Sequence, residues 1–329
     1  ISVRFQAKSA FDLGCNTQLR MQERKILITG SKGLIGHALK SQLKTCGFNV
    51  IEVDLRYPKN HHKHGDIRDL KQLEKLSDDC HGIVHLAGVS RVISGEKNPE
   101  LCWDTNVNGT QAVLEAALKS TRRPWVIYAS SREVYGQQTV LPVDERAPLL
   151  PVNIYAKSKI AAESAVLEYR AKGLQTVILR FSNVYGSLND YIDRVIPAFC
   201  RAAALGETIR IDGGHNVFDF TYIEDVIDGI IKVISRLEQG NCDLPAIHFT
   251  TGKGTTLLEA ATIAKKLSNF NIHFQEMPSR TFDVATFYGD PRLALDLLGW
   301  KATVMIEEGI RRLVRLFESQ SIYASKSCV

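Results

Sequence analysis

The chain has 329 residues, 44% of them hydrophobic and 23% charged, enough for a large buried core in one α/β domain or two smaller ones. Its formal charge of +5, from 41 basic and 36 acidic residues, includes no long basic tract, so no nucleic acid is expected as a partner. No apolar run approaches the roughly 20 residues of a membrane helix, so no membrane is expected either.

The first residues, 1–20, carry Arg4, Lys8 and Arg20 against one acid, Asp12, and no methionine starts them. They read as a disordered or non-native extension, with a weak organelle-targeting segment as the alternative. From Met21 short apolar runs alternate with helical stretches. Strands are predicted at Lys25–Thr29, Asn49–Val53, Gly82–Leu86, Trp125–Ala129 and Thr176–Arg180. Helices are predicted at Leu34–Cys46, about Pro99–Leu118 and Tyr155–Arg170. This rhythm implies parallel pairing with crossover helices, hence a doubly wound α/β sheet. After Phe181 the rhythm breaks into short strands, such as Thr208–Ile211 and Ile247–Thr250. Helices follow near Ile223–Arg236, Leu257–Leu267 and Ile306–Phe317. The expected division is a nucleotide-binding domain over 21–181, with parts of 219–240 packing on it, and 182–329 mainly as a smaller substrate-binding lobe. Seven cysteines without a CxxC pair fit free thiols in a reducing, cytoplasmic setting. His61, His62 and His64 lack a carboxylate partner and zinc spacing, so they read as a solvated loop and no metal is expected.

Gly30, Gly33 and Gly36 form GSKGLIG, with Leu34 and Ile35 opening the helix. Glycine lets the backbone turn tightly and a pyrophosphate approach, and the helix N-terminus offers unpaired N–H groups to the phosphates. Asp54 ends the second strand, where an acid accepts from ribose hydroxyls and repels a 2′-phosphate. That favours NAD, while Arg56 beside it leaves NADP open. Asp66 and Ile67 in GDIRD are candidates for the adenine. Leu86, Ala87 and Gly88 after the third strand are candidates for a close cofactor wall.

Tyr155 and Lys159 stand i, i+4 on one helical face. A phenol titrates near about 10, and a neighbouring ammonium together with a cationic nicotinamide is expected to lower that value toward a usable base. Ser131, at the C-terminal end of the fourth strand, faces the crevice where ligands bind such sheets and can share a proton with Tyr155.

GxxGxxG, NVNGT (Asn106–Thr110), SSxxVYG, YxxxK and LRFSNVYG (Leu179–Gly186) resemble, in that order, the extended short-chain dehydrogenase/reductases of the NAD-dependent nucleotide-sugar epimerase/dehydratase group, over about Lys25 to Phe317. The resemblance implies a Rossmann-type fold, tightly held NAD, a nucleotide-diphosphate sugar as substrate, and oxidation at sugar C4 by Ser131, Tyr155 and Lys159. It places Asn106 by the cofactor and catalytic helix, Asn183 and Arg280 on the diphosphate, and Asp283 near the nucleotide ribose. It also implies a homodimer through two helices per subunit, about Pro99–Leu118 and Tyr155–Arg170. Their alanines (Ala112, Ala116, Ala117; Ala161, Ala162, Ala165) permit close approach or pack on the sheet. Phe218 departs from the family's usual arginine in RDF, which shifts the phosphate grip toward Arg280.

Oxidation at C4 opens several outcomes. Glu133 resembles the glutamate of dehydratases and decarboxylases, but the preceding dehydratase aspartate is Arg132 here, which disfavours dehydration. A structural Arg132–Glu133 pair is the plainer reading. A UDP-glucose 4-epimerase-like reaction leads. Decarboxylation, 4,6-dehydration, 4-keto-sugar reduction and a non-catalytic NAD sensor are the alternatives.

Overall fold

In the computed structural model, residues 24–240, 243–280, 282 and 284–326 are described, with side chains to 320. The extension expected over 1–20 and Asp283 lie outside them.

Five strands alternate with helices: β1 (Lys25–Thr29), α1 (Leu34–Thr45), β2 (Asn49–Val53), α2 (Leu70–Asp78), β3 (Gly82–His85), α3 (Gly109–Lys119), β4 (Trp125–Ser131), α4 (Ile154–Ala171) and β5 (Thr176–Phe181). α5 (Ile223–Glu238) and β6 (Ile247–Phe249) complete this half. The sheet order is β6-β5-β4-β3-β1-β2, with every pairing parallel. Successive side chains of a strand point to opposite faces. Ile26 and Ile28 therefore join one apolar cluster with Leu39 and Leu43 of α1 and Val226 and Ile230 of α5. Leu27 joins a second cluster with Val113 of α3 and Ala162 of α4. Burial on both faces is why these strands read as continuous apolar runs, and it makes the sheet Rossmann-like.

Two elements differ from the sequence expectation. The long helix over Pro99–Leu118 is three pieces: a turn at Pro99–Trp103, a wide turn at Asp104–Asn108 and then α3. In the wide turn the Gly109 N–H donates to the Asp104 carbonyl, five residues back. Such insertions concentrate at functional positions, and this one carries Asn106. The strand near Ile247 belongs to the main sheet rather than to the lobe. Its Ile247, His248 and Phe249 pair with Leu179, Arg180 and Phe181. The expected lobe over 182–329 is thus interrupted by a return to the sheet longer than 219–240.

The remaining lobe pairs short strands, Asn183–Tyr185 with Phe220–Tyr222 and Ile209–Asp212 with Phe274–Met277. The helices Val195–Leu205, Leu257–Leu267 and Ile306–Lys326 pack on one another behind them. Among the described residues no helix is long and apolar enough to cross a membrane.

Candidate active site

One long cleft runs along the C-terminal ends of the strands and is walled on its far side by the lobe. Gly30, Gly33, Leu34, Ile35 and Gly36 form one end of it. Gly30 has φ +71°, and a Cβ there would lie 2.7 Å from the Ala87 nitrogen. A Cβ on Gly36 would sit on the Gly30 carbonyl oxygen. α1 starts at Gly33 with no side-chain cap and no acid in its first turn, so its N–H groups remain for an anion. A bare backbone cradle facing an uncapped helix fits the pyrophosphate of a dinucleotide.

Asp54 closes this end. It accepts from the Lys32 N–H at 2.8 Å and from the Arg56 N–H, Nε and Nη2 at 2.9, 3.0 and 2.9 Å. Burial alone would raise its carboxyl, but the Arg56 fork and the two backbone donors outweigh it and hold it below its ordinary value. Arg56, the residue that left NADP open, is therefore engaged on the acid expected to disfavour a 2′-phosphate. Ile67, Leu86, Ala87 and Gly88 also line the cleft. Asp66 and Asn106 do not. Asp66 is spent on Arg68, whose Nη2 donates at 2.6 Å. Asn106 is buried behind the wall. Its Oδ1 accepts from the Val89 N–H at 2.8 Å, and its Nδ2 donates to the Val89 carbonyl at 3.1 Å and to Ser158 Oγ at 2.9 Å. It ties the Gly88–Val89 loop to the helix bearing Tyr155.

Ser131, Tyr155 and Lys159 meet midway along the cleft, all buried. Asn153 caps α4 by accepting from the Ala156 N–H at 2.8 Å, which sets the start of the helix and hence the direction of Tyr155. The Ser131 hydroxyl lies close to the Tyr155 phenol. The expected lowering of the phenol is absent in the protein alone. Burial pushes Tyr155 up to about 12, with the neighbouring Ser131 hydroxyl acting against that rise. Lys159 is brought down to about 8 by the same desolvation.

On the lobe's side Asn183 and Arg280 line the cleft. Asn183 Nδ2 is buried without a partner among the described residues. Arg132 and Glu133, both buried, pair at 2.8 Å, and Asn153 Nδ2 donates to the other Glu133 oxygen at 3.2 Å. The plainer reading of this pair thus has its contact, but both side chains also face the cleft.

Two groups escaped the sequence reading. The loop following Gly186 brings Tyr191 and Asp193 to the rim. There Arg91 donates to Asp193 at 2.6 Å and lies 5.2 Å from the Tyr191 ring, joining segments 102 positions apart. Under the site, Ser130 and Arg180 both donate to Glu163, Arg180 reaches the Tyr135 hydroxyl, and that hydroxyl lies 3.1 Å from His248 Nδ1. The first group carried only a polar–aromatic loop as its signal. The second is long-range and carried none.

The profile of the NAD dependent epimerase/dehydratase family matches residues 26–244. UDP-glucose 4-epimerase of Lactobacillus helveticus is 29% identical, over 84% of this chain and 92% of its own. UDP-glucuronic acid decarboxylase 1 of Danio rerio is 28% identical, over 90% of this chain and 73% of its own. Among solved structures, UDP-glucose 4-epimerase of Thermotoga maritima with UDP-glucose superposes with a TM-score of 0.83 at 27% identity, covering 90% of this chain and 99% of that one.

Proposed function

Because the chain belongs to the NAD dependent epimerase/dehydratase family, we propose that it is a nucleotide-sugar 4-epimerase acting through transient oxidation at C4. The observation that carries this reading is the meeting of Ser131, Tyr155 and Lys159 in one buried stretch of the cleft that also holds the glycine cradle.

In this reading Ser131 holds the sugar's C4 hydroxyl and Tyr155 takes its proton. Lys159, buried beneath, keeps positive charge close to the phenol and stabilises the phenolate. The chemistry NAD supplies when bound is reversible acceptance of the C4 hydride, returned to the opposite face of the ring. Asn183 and Arg280 hold the diphosphate, the arginine through its planar fork. Arg132 has no readily transferable proton at neutral pH, so 4,6-dehydration lacks its acid there. Decarboxylation of a uronic acid is the second reading, supported by Glu133 on the cleft wall and by the decarboxylase relative. A homodimer through the helices at Pro99–Trp103 and α4 is supported by the exposed Leu101, Trp103 and Leu167. The alanines Ala116, Ala117, Ala162 and Ala165 are already buried within one chain.

The test is NMR on the NAD-loaded protein incubated with a panel of nucleotide sugars. The C4 epimer should accumulate to equilibrium with no free 4-keto sugar. Net loss of carbon dioxide or release of a 4-keto product overturns the epimerase reading.

A further inference from the structure

Arg132 immediately follows Ser131, lines the cleft and is 6% exposed. Its guanidinium carbon lies 4.6 Å from the Phe218 ring centroid and 5.6 Å from that of Phe287, so an aromatic pair holds the planar group in place. Glu133 takes only Nη2. Nη1 is buried and has no hydrogen-bond partner among the described residues. A guanidinium removed from water is costly unless its donors are satisfied, and an anionic carboxylate is a strong acceptor for the N–H groups of Nη1.

We propose that Arg132 binds a carboxylate on the sugar, so that the substrate is a nucleotide-linked uronic acid. This rests on the C4-oxidation reading above. With C4 at Ser131 and Tyr155, the exocyclic C6 is two bonds away, whereas the anomeric diphosphate lies across the pyranose ring. We assign Arg132 to the C6 end because it follows Ser131; Phe218, on which it stacks, stands where the family's phosphate arginine is expected, so the diphosphate is the competing assignment that the variants below separate. Asn183 and Arg280 remain for the diphosphate. A neutral hydroxymethyl group at C6 offers this donor one weak acceptor; a carboxylate offers two strong ones.

The experiment compares UDP-glucuronate with UDP-glucose on the full, NAD-loaded chain, counting total turnover whichever product forms. The wild type should favour the uronate in kcat/KM by about tenfold or more. Arg132→Gln should lower that ratio by about 10- to 100-fold, and Arg132→Lys, which keeps charge without the fork, should fall between. Equal or better use of UDP-glucose by the wild type overturns the proposal. So does an equal loss for both sugars in Arg132→Gln, which would assign the cation to the diphosphate. Should Arg132→Gln not fold, the wild-type ratio decides alone. Should neither sugar turn over, the C4-oxidation reading fails separately, and calorimetric affinities of the two nucleotides for the wild type decide the carboxylate question.

Discussion

Lys159 donates its hydrogen bond to the Ala129 carbonyl at 2.8 Å, and its Nζ stands 5.9 Å from the Tyr155 ring centroid. The ammonium therefore acts on the phenol through space and not through a direct bond. Inside the protein such an interaction is stronger than in water, but so is the penalty on any buried anion. In the protein alone the penalty wins, and Tyr155 stays protonated at neutral pH. A second positive charge, such as the nicotinamide ring of bound NAD, would favour the phenolate.

Tyrosinate difference absorbance between wild type and Tyr155→Phe should show no Tyr155 step below about pH 10.5 without NAD. With saturating NAD the step should move below the solution value of about 10. A step that stays high in the holoenzyme would remove Tyr155 as the base. Turnover of Tyr155→Phe should fall by about three orders of magnitude or more with NAD affinity retained.

Asn106→Ala should cost about 2 kcal/mol of stability, because the Val89 N–H and carbonyl lose their partner. It should also weaken NAD binding by about tenfold, since Gly88 and Val89 form cleft wall. Denaturant unfolding and calorimetric NAD titration measure the two effects. Lost stability with unchanged affinity would mean that the wall holds without Asn106.

The sheet, its parallel sense and the glycine turn were legible because each leaves a local mark: apolar runs, their spacing, and glycines at a strand end. Ser131, Tyr155 and Lys159 were legible for the same reason, since strand end and helix start are both local. Asn106 was expected near the catalytic helix, and its bond to Ser158 lies there; the wide turn that carries it was not legible, because a turn inside a helix has no period to betray it. The pairing of Ile247–Phe249 with β5 and the Arg91–Asp193 contact are long-range and decided by packing. The phenol's upward shift depends on burial, which a motif does not report.

Glu145 is pushed up to about 7 by burial, with help from Asp144 and Asp290, while the His248 N–H opposes the shift. His248 is held down to about 4, first by burial and also by Arg180. A raised acid gives stability below its unfolded value, about 4.3, and loses it as pH rises through 7. The lowered histidine gives stability above about 6.5 and loses it as pH falls through 4, so the two nearly cancel in the wild type. Glu145→Gln mimics the neutral acid. It should match wild type near pH 4.5 and exceed it above pH 7.5 by on the order of 1–2 kcal/mol. Urea midpoints at both pH values check this, and a variant weaker than wild type at pH 8 would contradict it.

Arg91 and Asp193 form a bridge between the two banks of the cleft, and Asp193 is 62% exposed. A link so wetted weakens as ionic strength rises, whereas charges buried on the floor of the cleft are shielded from added ions. Salt should thus govern how quickly molecules come and go while leaving the bond-making step nearly untouched.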